Sequence, residues 1–158
     1  MPGTRGSDTT MQKLSEVQAA KLLMNEAVNW SVMRWLREKK RVRAAADEAN
    51  AALDRLRQAI GQQWSEDAKA AYLAVANGNG VKKGGHKDNG DSIRLAAQVK
   101  HADDEARHAR MDAEDTFDAA EKRLSTSLAR EGCRKAIRSW ELHEEAIRLA
   151  ETAMAGKN

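Results

Sequence analysis

The spacing most suggestive of chemistry in this chain is Glu105-Ala-Arg-His108, which occurs once. A glutamate three residues before a histidine places a carboxylate and an imidazole on one helical face, as in the di-iron carboxylate bundles. The further ligands that we considered for such a site are His101, Asp112, Glu66 and Asp67. Because only two positions of the motif are fixed, a charged surface patch is the preferred interpretation. The sequence predicts no metal, cofactor-binding or catalytic site, and a ferritin-like metal-binding hairpin is kept as an alternative.

Two other features fit known chemistry less well. Residues 78–85 are glycine-rich and include two lysines, but they lack the Gly-Lys-Ser/Thr ending of a phosphate loop and follow a predicted helix, which indicates a linker. Cys133 is the only cysteine, so no intrachain disulfide can form. No histidine-supported nucleophile is apparent beside it. We therefore predict that the protein is not an enzyme and that it resides in the reducing cytoplasm.

Basic side chains are concentrated in two segments, which we call the basic belt. Its members are Arg34, Arg37, Lys39, Lys40, Arg41, Arg43, Arg130, Arg134, Lys135 and Arg138. The formal charge of +3 is too small to imply nucleic acid by itself, so the distribution matters more than the total. A belt of this kind attracts phosphates, anionic lipid headgroups or an acidic protein face. A solvated face with local ion pairs is the alternative interpretation.

A second predicted surface is apolar, because the apolar side chains between residues 22 and 36 point around much of the helical circumference. Tryptophan is enriched where interfaces concentrate their binding energy. The residues that we predict at a partner interface are Leu22, Leu23, Trp30, Met33, Trp35, Leu36 and Trp140. This Trp-rich end predicts a homodimer or docking into a larger assembly. A local core within the chain is the alternative.

The elements that position these residues are predicted to be helices. Ala, Leu, Glu, Lys, Arg and Gln dominate the composition, aromatic residues make up 4%, and the only proline is Pro2. Alternating β-branched runs are absent, so we predict an all-α protein without a sheet. No segment is apolar enough to predict a transmembrane helix.

Two heptad-like seams and a glycine-rich midpoint predict the architecture. The seams are Val42, Ala46, Ala49, Leu53, Leu56, Ile60 and, in the second half, Ala106, Ala109, Ala113, Phe117, Ala120, Leu124. We predict a tail at 1–8, a single helical-hairpin domain at 9–155 and a flexible loop at 77–91, with the chain folded into a long antiparallel two-helix coiled coil. Facing residues then have numbers that add to about 168, which brings Trp30 to Trp140. Bends at Gly61 and Gly132 would give a three- or four-helix arrangement instead.

Together these features predict a structural or scaffolding coiled-coil protein that self-associates or docks into a larger assembly through its Trp-rich end. A basic-belt binder of nucleic acid or of an anionic membrane is the first alternative. The ferritin-like protein is the second.

Overall fold

The computed structural model describes residues 5–62 and 89–155. Within these ranges the chain forms four α-helices and no strand, which confirms the all-α prediction. The helices are α1 Arg5–Ala27, α2 Val32–Gln62, α3 Asn89–Arg123 and α4 Thr126–Ala155.

Each predicted arm is interrupted once, by a turn whose serine caps the next helix. The first turn covers residues 28–31, and the Oγ of Ser31 accepts a hydrogen bond from the backbone N–H of Arg34 at 3.2 Å. In the second turn the Oγ of Ser125 accepts a hydrogen bond from the N–H of Leu128 at 3.2 Å. A serine hydroxyl that satisfies a free amide in the first helical turn is a strong start signal. The predicted continuous two-helix coiled coil is therefore wrong, because local capping starts a new helix at both places.

The helix α3 ends in a left-handed residue, Leu124, whose φ is 51°. The N–H of Ser125 donates to the carbonyl of Ala120 at 3.0 Å, which is the six-to-one bond of a Schellman motif. Glycine usually occupies this left-handed position, because a side chain there collides with the backbone. A leucine is therefore an unexpected residue at this helix end.

The two glycines predicted to bend the arms lie inside helices. The helix α2 continues through Gly61 to Gln62, and α4 continues through Gly132. A Cβ atom added at Gly132 would lie 2.9 Å from Cδ1 of Phe117, whereas one added at Gly61 would meet no atom within 4 Å. Gly132 therefore lets α4 pack closely against α3. The predicted bend at Gly132 is therefore wrong, whereas the chain that follows Gln62, on which the prediction for Gly61 depends, lies outside the described residues.

Ion pairs connect the two halves of the chain in antiparallel order. Lys21 of α1 pairs with Glu144 of α4, and Arg43 of α2 pairs with Asp118 of α3 at 2.7 Å. Further along α2, Asp54 pairs with Arg110 of α3 at 2.9 Å. The residue numbers in these pairs add to between 161 and 165. The four helices thus lie side by side as a bundle.

The bundle core contains the predicted α2 seam. All six of its residues are buried. The α3 seam is buried at Ala106, Ala113, Phe117 and Ala120, but its last member, Leu124, is 64% exposed. The helix α4 completes the core with Trp140, whose indole N–H donates to Oδ1 of Asn50 at 2.8 Å. This bond joins α4 to α2 in the interior.

The helix starts differ from those predicted by sequence. The helix α1 begins at Arg5, inside the predicted tail at 1–8, and α3 begins at Asn89, inside the predicted loop at 77–91. Capping residues locate a helix end only to within a few positions, which accounts for differences of this size. The rest of the predicted tail and of the predicted loop, at 1–4 and 77–88, lies outside the described residues.

Candidate interaction surface

The three tryptophans predicted as interface anchors belong to the core. Trp30 is 4% exposed, Trp35 is 5% exposed and Trp140 is fully buried. Trp30 precedes the capping Ser31 and Trp35 follows it by four residues, which are the two positions of a hydrophobic staple. The predicted role of these side chains is therefore corrected, because Trp30 and Trp35 flank the turn at 28–31 with buried side chains and Trp140 is hydrogen-bonded to Asn50 inside the bundle, so that none of these three indoles is available to a partner.

Trp30 and Trp140 do not face each other. The guanidinium of Arg130 donates to the backbone carbonyl of Trp30 at 3.3 Å, which fixes the height of Trp30 along α4. Ten residues separate Arg130 from Trp140, a rise of about 15 Å. The predicted Trp30–Trp140 contact is wrong, because the capped turn at 28–31 shifts the register.

The other predicted interface residues divide between core and surface. Leu23 packs against the core, and Leu22 is 63% exposed on α1. Met33 is 69% exposed and Leu36 is 42% exposed at the start of α2. Isolated exposed leucines are common on protein surfaces, so only Met33 and Leu36 suggest an interface.

Two further exposed residues extend this surface. Val32, one helical turn before Leu36, is 51% exposed. Leu124, from the turn between α3 and α4, lines one cleft together with Leu36 and Trp35. Val32, Met33, Leu36 and Leu124 thus form an apolar group at one end of the bundle, which we call the apolar tip. Val32 belongs to the apolar stretch recognised in the sequence but was not among the predicted interface residues. Leu124 was predicted on the buried seam, because a left-handed turn is not visible in a heptad pattern.

Five basic residues surround the apolar tip. They are Arg37, Lys39 and Lys40 on α2, and Lys122 and Arg123 in the last turn of α3. Lys39 lines the same cleft as Leu36 and Leu124. Within the described part of the chain, no salt bridge includes any of these five residues, which we call the tip cations. Sequence analysis found the three on α2 but not the two that the α3 end brings to them.

The predicted basic belt therefore consists of two kinds of residue. Arg34 and Arg41 pair with Glu38, and Arg43 and Lys135 pair with carboxylates of α3. Arg130 is held by the carbonyl of Trp30. The remaining members are the three tip cations of α2 together with Arg134 and Arg138, which are exposed on α4 and have no ion pair among the described residues. Only the unpaired residues offer charge to a partner.

The residues considered for metal chemistry that the structure describes lie in solvent along one face of α3. His101 pairs with Glu105 at 3.1 Å, and both side chains are exposed. Asp112 pairs with Lys135 at 3.2 Å. Among the described residues, no group of three or more His, Cys, Asp or Glu side chains could hold a metal ion. Glu66 and Asp67 lie outside the described ranges.

The single cysteine is a packing residue of α4. Cys133 is fully buried in the bundle. Burial raises the pKa of its thiol to about 12, against a smaller opposing effect of the Arg134 charge. Since the thiolate is the nucleophilic form, this side chain is inert near neutral pH.

Comparison of the chain with protein-family models, with curated proteins and with solved structures finds no match. None of the helices in the described ranges has the length and apolar character needed to cross a lipid bilayer. The apolar tip and the tip cations are accordingly the features on which a functional proposal can be built.

Proposed function

We propose that this protein is a non-catalytic docking protein that attaches to a negatively charged partner surface through the apolar tip and the tip cations. The observation that carries the proposal is the position of exposed Met33, Leu36 and Leu124 beside basic residues that have no carboxylate partner in the described chain. The scaffolding role predicted from the sequence is retained, but the surface is moved from the tryptophans to the tip. The expected cytoplasmic location is part of the same proposal.

The apolar tip supplies a moderate driving force. Full burial of a Val, Leu or Met side chain is worth about 1.5 to 3 kcal/mol. The four side chains are between 42% and 69% exposed, so covering them would contribute roughly 4 kcal/mol in total. Association costs at least this much in lost translational and rotational freedom. Stable docking therefore also needs the attraction of the tip cations.

The charge of the tip favours an anionic partner over a second copy of the chain. A symmetric dimer brings the same patch of both copies together, so the tip cations of one copy would face those of the other. Like charges that meet across an interface cost several kcal/mol. A partner that carries negative charge instead gains from each tip cation.

The non-catalytic part of the proposal is supported by the state of the candidate groups. Cys133 is buried with a raised pKa, and the His101–Glu105 pair lies in solvent without a neighbouring nucleophile. Neither arrangement meets the geometric requirement of a base within reach of a nucleophile in a concave site.

A photo-cross-linking experiment tests the docking surface. A photoreactive amino acid replaces Met33 in the full chain, and a matched control carries it at Met111, which is 61% exposed on α3 away from the tip. We expect adducts in the producing cells from position 33 and not from position 111. We also expect them to disappear when Arg37 and Lys40 are changed to glutamate. Equal labelling at the two positions, or adducts that survive the charge reversal, would refute the proposal.

A further inference from the structure

We infer that the negatively charged partner surface is the anionic face of a phospholipid bilayer, an inference that rests on the docking function proposed above. The tip would insert its aliphatic side chains among the lipid headgroups while the tip cations contact the phosphates.

The composition of the tip distinguishes a lipid surface from a protein. Protein interfaces are enriched in aromatic residues, methionine and arginine and are depleted in lysine, so the lysines and the missing aromatic residues are the features of the tip that distinguish the two. Every aromatic side chain that the structure describes is buried. These side chains include Trp30, Trp35 and Trp140, which the sequence predicted at an interface. What remains at the tip is aliphatic, and it is surrounded by three lysines and two arginines. Aliphatic side chains beside lysine and arginine are the combination that binds anionic membrane interfaces.

The same composition argues against nucleic acid. Proteins bind single strands by stacking bases on aromatic side chains, and they position duplexes mainly through polar contacts to phosphates. Exposed Met33, Leu36 and Leu124 would gain nothing from a phosphate backbone. A bilayer provides negative charge and an apolar phase at the same surface, and it therefore satisfies both parts of the tip.

The order of the side chains along the bundle fits insertion from one end. Val32 is the first residue of α2, and Leu124 lies in the turn that follows α3. Lys39 and Lys40 follow Val32 by about two helical turns, a rise of about 10 Å. Apolar faces of interfacial proteins are buried roughly 5 to 10 Å into the headgroup region. The lysines would therefore stay at headgroup level, where their flexible stems let the ammonium groups reach phosphate.

Two carboxylates near the tip have basic partners, and Glu26 in the last turn of α1 has none among the described residues. Glu38, which lies between the tip cations of α2, pairs with Arg34 and Arg41 at 3.6 Å each. Glu121, which lines the cleft beside Leu36, pairs with Arg43 at 3.8 Å. The excess charge at this end is thus positive, and anionic lipids attract each Lys or Arg near the surface by about 1 kcal/mol.

Vesicle flotation of the purified full chain tests the inference. The vesicles contain phosphatidylcholine alone or an equimolar mixture with phosphatidylglycerol. We expect binding to the mixed vesicles that weakens with salt and no binding to the neutral ones. The double variant Arg37→Gln/Lys40→Gln should bind about 30-fold more weakly, since it removes two cations worth about a factor of five each.

The matched control is Arg94→Gln/Arg138→Gln, which removes the same charge from exposed positions farther from the tip, Arg94 about 45 Å before Leu124 along α3 and Arg138 about 18 Å after the start of α4. Its binding should change by less than about threefold, because only distant, screened attraction is lost. Circular dichroism of both variants confirms that the bundle is folded. An equal loss in the two variants, or no binding of the wild-type chain to anionic vesicles, overturns the inference.

The outcomes also separate the two proposals. If position 33 yields charge-dependent adducts with an acidic protein and the vesicles stay unbound, the docking function stands and the lipid inference is wrong. If the chain binds duplex DNA but not the vesicles, the docking function likewise stands and the lipid inference is wrong. If neither adducts nor vesicle binding is found, both proposals are wrong.

Discussion

The substitution Gly132→Ala tests the close packing of α3 against α4. Alanine is the better helix former, so at an open helical site this change stabilises a protein by about 1 kcal/mol. At Gly132 the new Cβ would lie 2.9 Å from Cδ1 and 3.0 Å from Cε1 of Phe117. Those distances are too short for two carbon atoms, and a ring cannot rotate away as easily as a flexible chain. The neighbours must therefore move.

The packing around Phe117 indicates how much Gly132→Ala should change the free energy of unfolding. The ring of Phe117 is 3% exposed, and the guanidinium of Arg43 lies 5.6 Å from its centroid. Inserting a methyl group into such a packed position costs typically 1 to 3 kcal/mol. After the gain in helix propensity, we expect Gly132→Ala to lower the free energy of unfolding by about 1 kcal/mol.

Urea denaturation followed by far-ultraviolet circular dichroism measures this change. Gly61→Ala is the matched control, because a Cβ there meets nothing within 4 Å, and it should raise the free energy of unfolding by about 0.5 to 1 kcal/mol. In a chain that also carries Phe117→Leu, the cost of Gly132→Ala should shrink, since the colliding ring atoms are gone. If Gly132→Ala stabilises the wild-type chain as much as Gly61→Ala does, the inferred close packing is refuted.

Three further substitutions test other parts of the bundle by the same denaturation assay. Burial lowers the pKa of His143 to about 4, with smaller contributions from the charges of Arg57 and Arg110. Between pH 6.5 and pH 4 the imidazole is therefore protonated in the unfolded chain but largely neutral in the folded chain. Wild-type stability should therefore fall by roughly 3 kcal/mol between pH 6.5 and pH 4 relative to His143→Gln, and parallel pH profiles of the two would contradict this. Asn50→Ala leaves the buried indole N–H of Trp140 without its acceptor, so it should cost about 1 to 3 kcal/mol; an unchanged midpoint would show that the hydrogen bond is dispensable. Leu124→Gly should stabilise the chain by about 1 kcal/mol because glycine adopts the left-handed conformation without strain, and a loss of stability would contradict the described turn.

The sequence predicted best what depends on helical periodicity. The α2 seam repeats at heptad spacing, and burial of that face is the largest favourable term available to an amphipathic helix. The two serine-capped turns were not predicted. At Ser31 and Ser125 a single side-chain hydrogen bond decides whether the helix continues or a new helix starts. Such a bond leaves little trace in an apolar pattern. The signal that could have found both turns is a serine that directly follows a large apolar residue, Trp30 or Leu124, and precedes a new helical pattern.

The candidate surface was predictable only in part, for a related reason. Met33, Leu36 and the basic residues after them are neighbours in sequence, so pattern analysis located them. The tryptophans were misassigned because an apolar helix segment does not reveal which of its sides another helix will cover. Leu124 and the two basic residues before it reach the tip only because the chain reverses after α3, and a reversal at a non-glycine residue has no clear sequence signal.

Leu124 links the stability of the fold to the proposed function. A leucine with φ of 51° and 64% of its side chain exposed contributes little to the core, and its backbone conformation is unfavourable. A residue that costs stability without packing is expected where the side chain acts on something outside the molecule. Replacement of Leu124 by glycine should therefore raise the free energy of unfolding and weaken binding to anionic vesicles. A variant that gained stability and kept full vesicle affinity would remove Leu124 from the docking surface, and the inserting apolar group would then be limited to the start of α2.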